Sequence, residues 1–160
     1  MRFAPWFRPS AIDADAHRLY GRLVEQARAP AFYGVCGVPD SLDGRYEMVA
    51  LHVFLALRRL KREGAATGAR AQALFDAMFA DMDRSLREIG VGDLSVGKRV
   101  KEMARGLYGR VVAYEAGLDG PDDGLEEALR RNVYGTVGAP AAPDLGALAR
   151  YVRAAAAART

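Results

Sequence analysis

Gly92, Gly97 and Lys98 stand at the Gly-x-x-x-x-Gly-Lys spacing of a phosphate-binding loop. Such a loop works because backbone N–H groups cradle phosphate oxygens, the lysine neutralises them, and a following Ser or Thr holds magnesium. Here Arg99 takes the Ser/Thr place, and the residues before Gly92 have the periodicity of a helix, not of a strand. The segment reads instead as a turn between two helices, with Ser95 as a cap. Asp76, Asp81 and Asp83 come nearest to a metal-binding set. On a helix Asp76 and Asp83 share a face while Asp81 points elsewhere. The Glu-x-x-His pair that a bundle-held metal pair needs is missing. These acids read as a solvated face, with Asp81–Arg84 and Asp83–Arg87 as local ion pairs. His17 and His52 are the only histidines, and His52 lies inside the most apolar stretch, which predicts a hydrogen-bonded core residue. Cys36 is the only cysteine, and nothing local supports pairing it with His52 as a nucleophile. No catalytic, cofactor-binding or metal-binding residue is assigned. The chain reads as a protein that grips another protein, with a nucleotide- or metal-dependent enzyme as the weaker reading.

Two basic clusters remain. Arg58, Arg59, Lys61 and Arg62 follow an apolar helix and complement the negative end of its dipole. Lys98, Lys101 and Arg105 recur at i, i+3 and i+7 near a helix start, where positive charge opposes the dipole. That placement points to a surface for an acidic protein patch, an anionic lipid or RNA. The chain's alternative function is therefore a basic-surface binder of ribosome, RNA or anionic membrane lipid. Phe75, Met78, Phe79 and Met82 make a stripe that suits either a core or a surface for varied apolar partners. Trp6 and Phe7, with Arg2 and Arg8, form a weak membrane-anchor signal or an arm packed on the body.

The elements that position these groups are helices. Ser10 caps the first, with Asp13 three residues later, and Leu19, Tyr20, Leu23, Val24 and Ala27 recur at helical spacing until Pro30. Residues 30–44 read as an apolar loop packed on the helices. A second helix, capped by Asp43, covers residues 44–63 and is apolar nearly all round, so it is expected at the buried centre; Gly64 ends it. A third covers residues 68–89 and stops at Gly90. A fourth starts near Ser95 and ends at Gly117 and the Gly120–Pro121 turn. A short helix covers residues 123–134. A linker with Gly138, Pro140 and Pro143 precedes a last helix capped by Asp144, with Leu145, Leu148, Val152 and Ala155 inward. The fold class is all-α: a single compact bundle-like domain of about six helices. Residues 1–9 read as an extended arm, 10–137 as the helical domain, and 138–160 as a linker and C-terminal helix packing on it.

Bulk properties set limits. At 160 residues the chain suits one core. A hydrophobic share of 51% against 27% charged excludes a disordered chain. The net charge of +3 demands no nucleic-acid partner, and no specific DNA binding is expected. No signal segment or bilayer-length apolar run is visible, and a single cysteine suits a reducing compartment. The protein is expected in the cytoplasm.

Longer blocks carry a resemblance. Residues 30–34 (Pro-Ala-Phe-Tyr-Gly), 37–47 (Gly-Val-Pro-Asp-Ser-Leu-Asp-Gly-Arg-Tyr-Glu), 79–94, 97–101 (Gly-Lys-Arg-Val-Lys) and 131–135 (Arg-Asn-Val-Tyr-Gly) occur in order. Together they resemble the ubiquinol–cytochrome c chaperone family across roughly residues 19–135. The resemblance implies a non-catalytic assembly factor for the respiratory ubiquinol:cytochrome c reductase. Mitochondrial relatives bind newly made cytochrome b, with a small partner protein, near the ribosomal exit. Bacterial relatives are expected in the cytoplasm, peripheral on the inner membrane, and the near absence of an N-terminal extension suits a bacterial origin. Cytochrome b is a bundle of apolar helices, so its chaperone needs an apolar groove with a charged rim. The expected groove residues are Phe32, Tyr33, Val38, Leu42, Phe75, Met78, Phe79 and Met82. The expected rim is Asp40, Asp43, Arg45, Asp81, Asp83, Arg84, Glu88, Asp93, Lys98 and Lys101.

Overall fold

Seven helices and no strand stand among the residues that the computed structural model describes, namely 10–64, 68–121, 123–135 and 140–158. They are α1 (Ala11–Ala27), α2 (Pro30–Gly34), α3 (Leu42–Arg62), α4 (Gly68–Glu88), α5 (Asp93–Asp119), α6 (Gly124–Asn132) and α7 (Ala142–Ala157). The arm expected at residues 1–9, with Trp6 and Phe7, and Gly138 of the linker lie outside the described residues. No helix among the described residues is long and apolar enough to cross a membrane.

The all-round apolar pattern of α3 has the expected result: every residue from Met48 to Phe54 is buried. α3 packs against α1, α4, α5 and α7 and forms the axis of the domain. Truncating a side chain such as Leu51 there costs roughly 2–5 kcal/mol. α1 starts as its sequence predicts. Ser10 Oγ accepts from the Asp13 N–H at 3.1 Å, and the Asp13 carboxylate accepts from the Ser10 N–H at 3.2 Å. This reciprocal capping box satisfies two otherwise unpaired helix-end donors. Gly64 and Gly90 take positive φ just past α3 and α4, where a side chain would be strained.

Several boundaries differ from the sequence reading. Residues 30–34 are a helical turn, α2, started by Pro30 at its first position. Five residues are too few to show a helical period, so the segment looked like loop. α3 begins at Leu42 because Ser41, not Asp43, accepts from the Gly44 N–H at 3.1 Å. α5 begins at Asp93, before Ser95, with Gly92 at its cap and no side-chain cap bond. α7 begins at Ala142, with Pro143 and Asp144 already in its first turn. Gly117 does not end α5 but lies buried inside it. A Cβ there would fall 2.7 Å from the Leu125 Cα, so the glycine lets α6 cross α5 at backbone contact.

Three long-range polar bonds tie late elements to early ones. The Tyr134 hydroxyl donates to the Cys36 carbonyl at 2.6 Å. Tyr151 of α7 meets His52 Nε2 at 2.7 Å, while His52 Nδ1 lies 2.7 Å from the Met48 carbonyl. The carbonyl can only accept, so Nδ1 carries the proton and Nε2 accepts from Tyr151. Phe32 packs edge-on against both rings. Arg62 donates to the Ala156 carbonyl at 3.0 Å.

Candidate binding groove

An open groove of about 940 Å³ lies between α1, α3, α4 and α5, with Arg131, Asn132, Val133 and Gly135 also in its lining. Its apolar floor is built one helix at a time. α1 supplies Tyr20 and Val24, α3 supplies Tyr46 and Val49, α4 supplies Met82 and Leu86, and α5 supplies Met103. Leu42 and Ile89 stand at the mouth, 76% and 66% exposed. An exposed leucine and isoleucine facing one groove give an apolar ligand surface that the fold itself leaves uncovered. Charged residues ring the floor: Arg28, Asp43, Arg45, Asp81, Arg99, Glu102 and Arg131.

The groove has a charged anchor in its floor. Glu47, buried in α3, is gripped by both ends of the Arg110 guanidinium; the Nε bond to Oε2 is 2.7 Å and a second runs from Nη2 to Oε1. Burial pushes the Glu47 carboxyl above the usual carboxylate range, against the pull of Arg110. The bond to Glu47 holds Arg110 firmly cationic, against the cost of its own burial. The guanidinium also lies 5.7 Å from the centre of the Tyr46 ring, within reach of a cation–π contact. The Tyr46 and Tyr114 hydroxyls are buried with no hydrogen-bond partner among the described residues. At the α1–α4 wall, the Tyr20 hydroxyl donates to Asp81 at 2.6 Å, and Arg84 donates to the other oxygen of that carboxylate at 2.8 Å. Burial, then this bond, raises the Tyr20 pKa, so the hydroxyl stays protonated and Asp81 stays oriented.

Of the expected groove residues, Leu42 and Met82 line this groove. Phe32, Val38 and Met78 are core residues with almost no exposure, which removes them from any contact surface in this conformation. They belong to the buried hydrophobic cluster that includes Met48, Leu51 and Phe54 of α3. Tyr33 is half-buried and donates to the Ala27 carbonyl at 3.1 Å. Phe79 packs on the core and stacks with Phe75, their ring centres 6.0 Å apart. Phe75 instead lines a second, smaller hollow of about 490 Å³, with Leu57, Lys61, Ala71, Tyr108 and Val111.

Of the expected rim, Asp43, Arg45 and Asp81 line the groove, and Asp40 pairs with Arg45 at 2.8 Å. Arg84 holds Asp81, while Asp83 and Asp93 both pair with Arg87. Glu88 is exposed outside the groove lining, and Lys98 and Lys101 are exposed on the outer side of α5. The sequence reading missed Tyr20, Val24, Tyr46, Val49, Leu86, Ile89 and Met103, which it assigned to core stripes or passed over. It also missed the Glu47–Arg110 pair. One signal was present: a carboxylate inside the most apolar helix needs a cation.

Gly97 lies inside α5, so no loop wraps a phosphate there. No group of three or more metal-ligating side chains occurs among the described residues. Cys36 is buried, and that burial pushes its thiol up, away from a reactive thiolate. His17 is exposed on α1 and bonds the Asp13 carbonyl at 2.8 Å.

A family model described as Ubiquinol-cytochrome C chaperone matches residues 35–158. Ubiquinol-cytochrome c reductase complex assembly factor 1 of Mus musculus is 26% identical over 134 residues, covering 84% of this chain and 44% of that protein. The Xenopus laevis protein of that name is 27% identical over 122 residues, covering 76% of this chain and 61% of its own. The chain thus spans about half the length of the curated relatives it matches. Among solved structures, the Cbp3 homolog from Brucella abortus is 44% identical with a TM-score of 0.77, over 90% of this chain and 80% of that one.

Proposed function

We propose that this chain, which belongs to the ubiquinol-cytochrome C chaperone family, is a non-catalytic chaperone that holds newly made cytochrome b while the ubiquinol:cytochrome c reductase is assembled. The observation that carries this reading is the groove: an apolar floor from four helices, a charged ring, and Leu42 and Ile89 uncovered at its mouth. An apolar helix laid in such a groove gains affinity from the floor, and the ring sets its register and rate of encounter. The floor methionines, Met82 and Met103, suit a client surface of irregular shape.

The test is site-specific photo-cross-linking in cells making the reductase. A photoreactive residue replaces Leu42 or Ile89 in the groove, or Val35, which is 64% exposed but outside the groove lining. Cytochrome b should be captured from positions 42 and 89 and not from 35. Capture from all three alike, or from none while reductase assembly still depends on the chain, would sink the assignment of this groove.

A further inference from the structure

We infer that the outer face of α5 is a docking seam for a partner helix with an acidic centre. Leu94, Lys98, Lys101, Arg105, Tyr108 and Val112 recur along α5 at alternating steps of four and three residues. That alternation is the signature of a helix that packs lengthwise on another helix. At 100° per residue the line is turned by roughly 160° from the groove-facing Arg99, Met103 and Arg110, so this is a separate surface and does not rest on the client reading. All six residues are exposed; Leu94 is fully so, and Tyr108 and Val112 are 69% and 64% exposed.

The folded chain gains nothing from the three cations of this line. Elsewhere exposed arginines pair locally, as Arg84 does with Asp81, Arg87 with Asp83 and Arg130 with Glu127. Lys98, Lys101 and Arg105 have no ion pair among the described residues. The same steps continue to Glu115 and Asp119, but Arg58 holds both, so the free part of the line ends at Val112 and carries no acid. Gly97 and Gly109 flank the line, one on each side, and a Cβ at either would meet nothing within 4 Å. A glycine inside a helix weakens it, so two glycines with no packing role in the fold are a cost without return. They leave room for a second backbone to approach closely.

The pattern also selects the occupant. A membrane surface favours a broad apolar face, whereas here apolar residues occupy only the ends of a narrow line. Nucleic acid calls for a spread of cations over its phosphates, not three cations between apolar ends. A helix with Asp or Glu at its middle seam positions and apolar residues at both ends complements every position.

The probe is a fluorescent helical peptide about three heptads long. It carries Leu at the outer seam positions and Glu at the central ones, and a sister peptide carries Lys at the centre. Anisotropy with the full chain should show the acidic peptide binding at least about tenfold more tightly than the basic one. In K98E/K101E/R105E that preference should invert, because attraction and repulsion exchange roles. In G97A/G109A binding should weaken while the melting temperature rises. Equal binding of the two peptides, no binding of the acidic one, or a preference that survives charge reversal would overturn the inference. So would tighter binding to phosphatidylglycerol vesicles or to a single-stranded RNA oligomer than to the acidic peptide.

Discussion

Replacing Arg110 by methionine removes the cation that grips Glu47 and leaves the carboxylate in the groove floor. The pair is buried on the glutamate side, with 8% of its side chain accessible, and only 22% of Arg110 is accessible. Breaking such a pair from one side costs roughly 3–5 kcal/mol, because the orphaned charge keeps its desolvation penalty. Arg110 is not fully enclosed, so the low end, about 3 kcal/mol, is expected. For a chain of this length 1 kcal/mol moves the melting temperature by about 3 °C, which makes a drop of about 9 °C. The double variant E47Q/R110M, with no buried charge, should recover to within about 1 kcal/mol of the parent. The penalty of R110M should also depend on pH in a stated direction. Without its partner, the buried Glu47 carboxyl is held still further above its ordinary value of 4.5. A carboxyl raised in the folded state favours folding below that ordinary value, and the advantage is lost as pH rises through the folded-state value. R110M should therefore approach the parent in acid and fall away from it toward neutrality. Urea unfolding of the parent, both single variants and the double variant across pH measures all of this. A loss below about 1 kcal/mol for R110M, or a double variant no better than the singles, would refute the view of the pair as an enclosed charge.

Two further outcomes are expected. Burial holds His52 below its usual value of 6.5, so the folded protein resists the proton that the unfolded chain accepts. Stability should be level above that pH and fall as pH drops toward the depressed folded value, by at most about 1.4 kcal/mol per pH unit, and H52Q should flatten the slope in urea melts. G117A should cost roughly 1–3 kcal/mol by calorimetry, since its new methyl would press on the Leu125 backbone, whereas an alanine at the open Gly109 should stabilise the isolated chain.

The helices themselves were legible because the 3.6-residue period over long segments is a strong signal, and the Ser10/Asp13 pair marked the start of α1. The core role of His52 was legible too, because an apolar helix around one histidine leaves it no solvent. What lay hidden is tertiary. Met78 and Met82 sit one turn apart on the same stripe of α4, yet one is sealed in the core and the other lines the groove. The difference is whether a neighbouring helix covers the position, and no local pattern encodes that. Glu47 and Arg110 are 63 residues apart; the apolar run around Glu47 says that it needs a cation, but nothing local names Arg110 until α3 and α5 are laid together. The seam on α5 was half visible, as Lys98, Lys101 and Arg105; its apolar ends emerged once Leu94, Tyr108 and Val112 proved uncovered.

The bonds from Tyr151 to His52 and from Tyr134 to Cys36 span 99 and 98 residues. During synthesis the central helix is made long before the residues that satisfy its histidine. Until α6 and α7 emerge, His52 Nε2 lacks Tyr151 and the Cys36 carbonyl lacks Tyr134. The last-made part of the domain is thus the part that locks the first, and the non-local contacts it forms come late and slowly. A product halted before Tyr151 carries a helix with an apolar surface and an unsatisfied polar group, the kind of species that quality control removes.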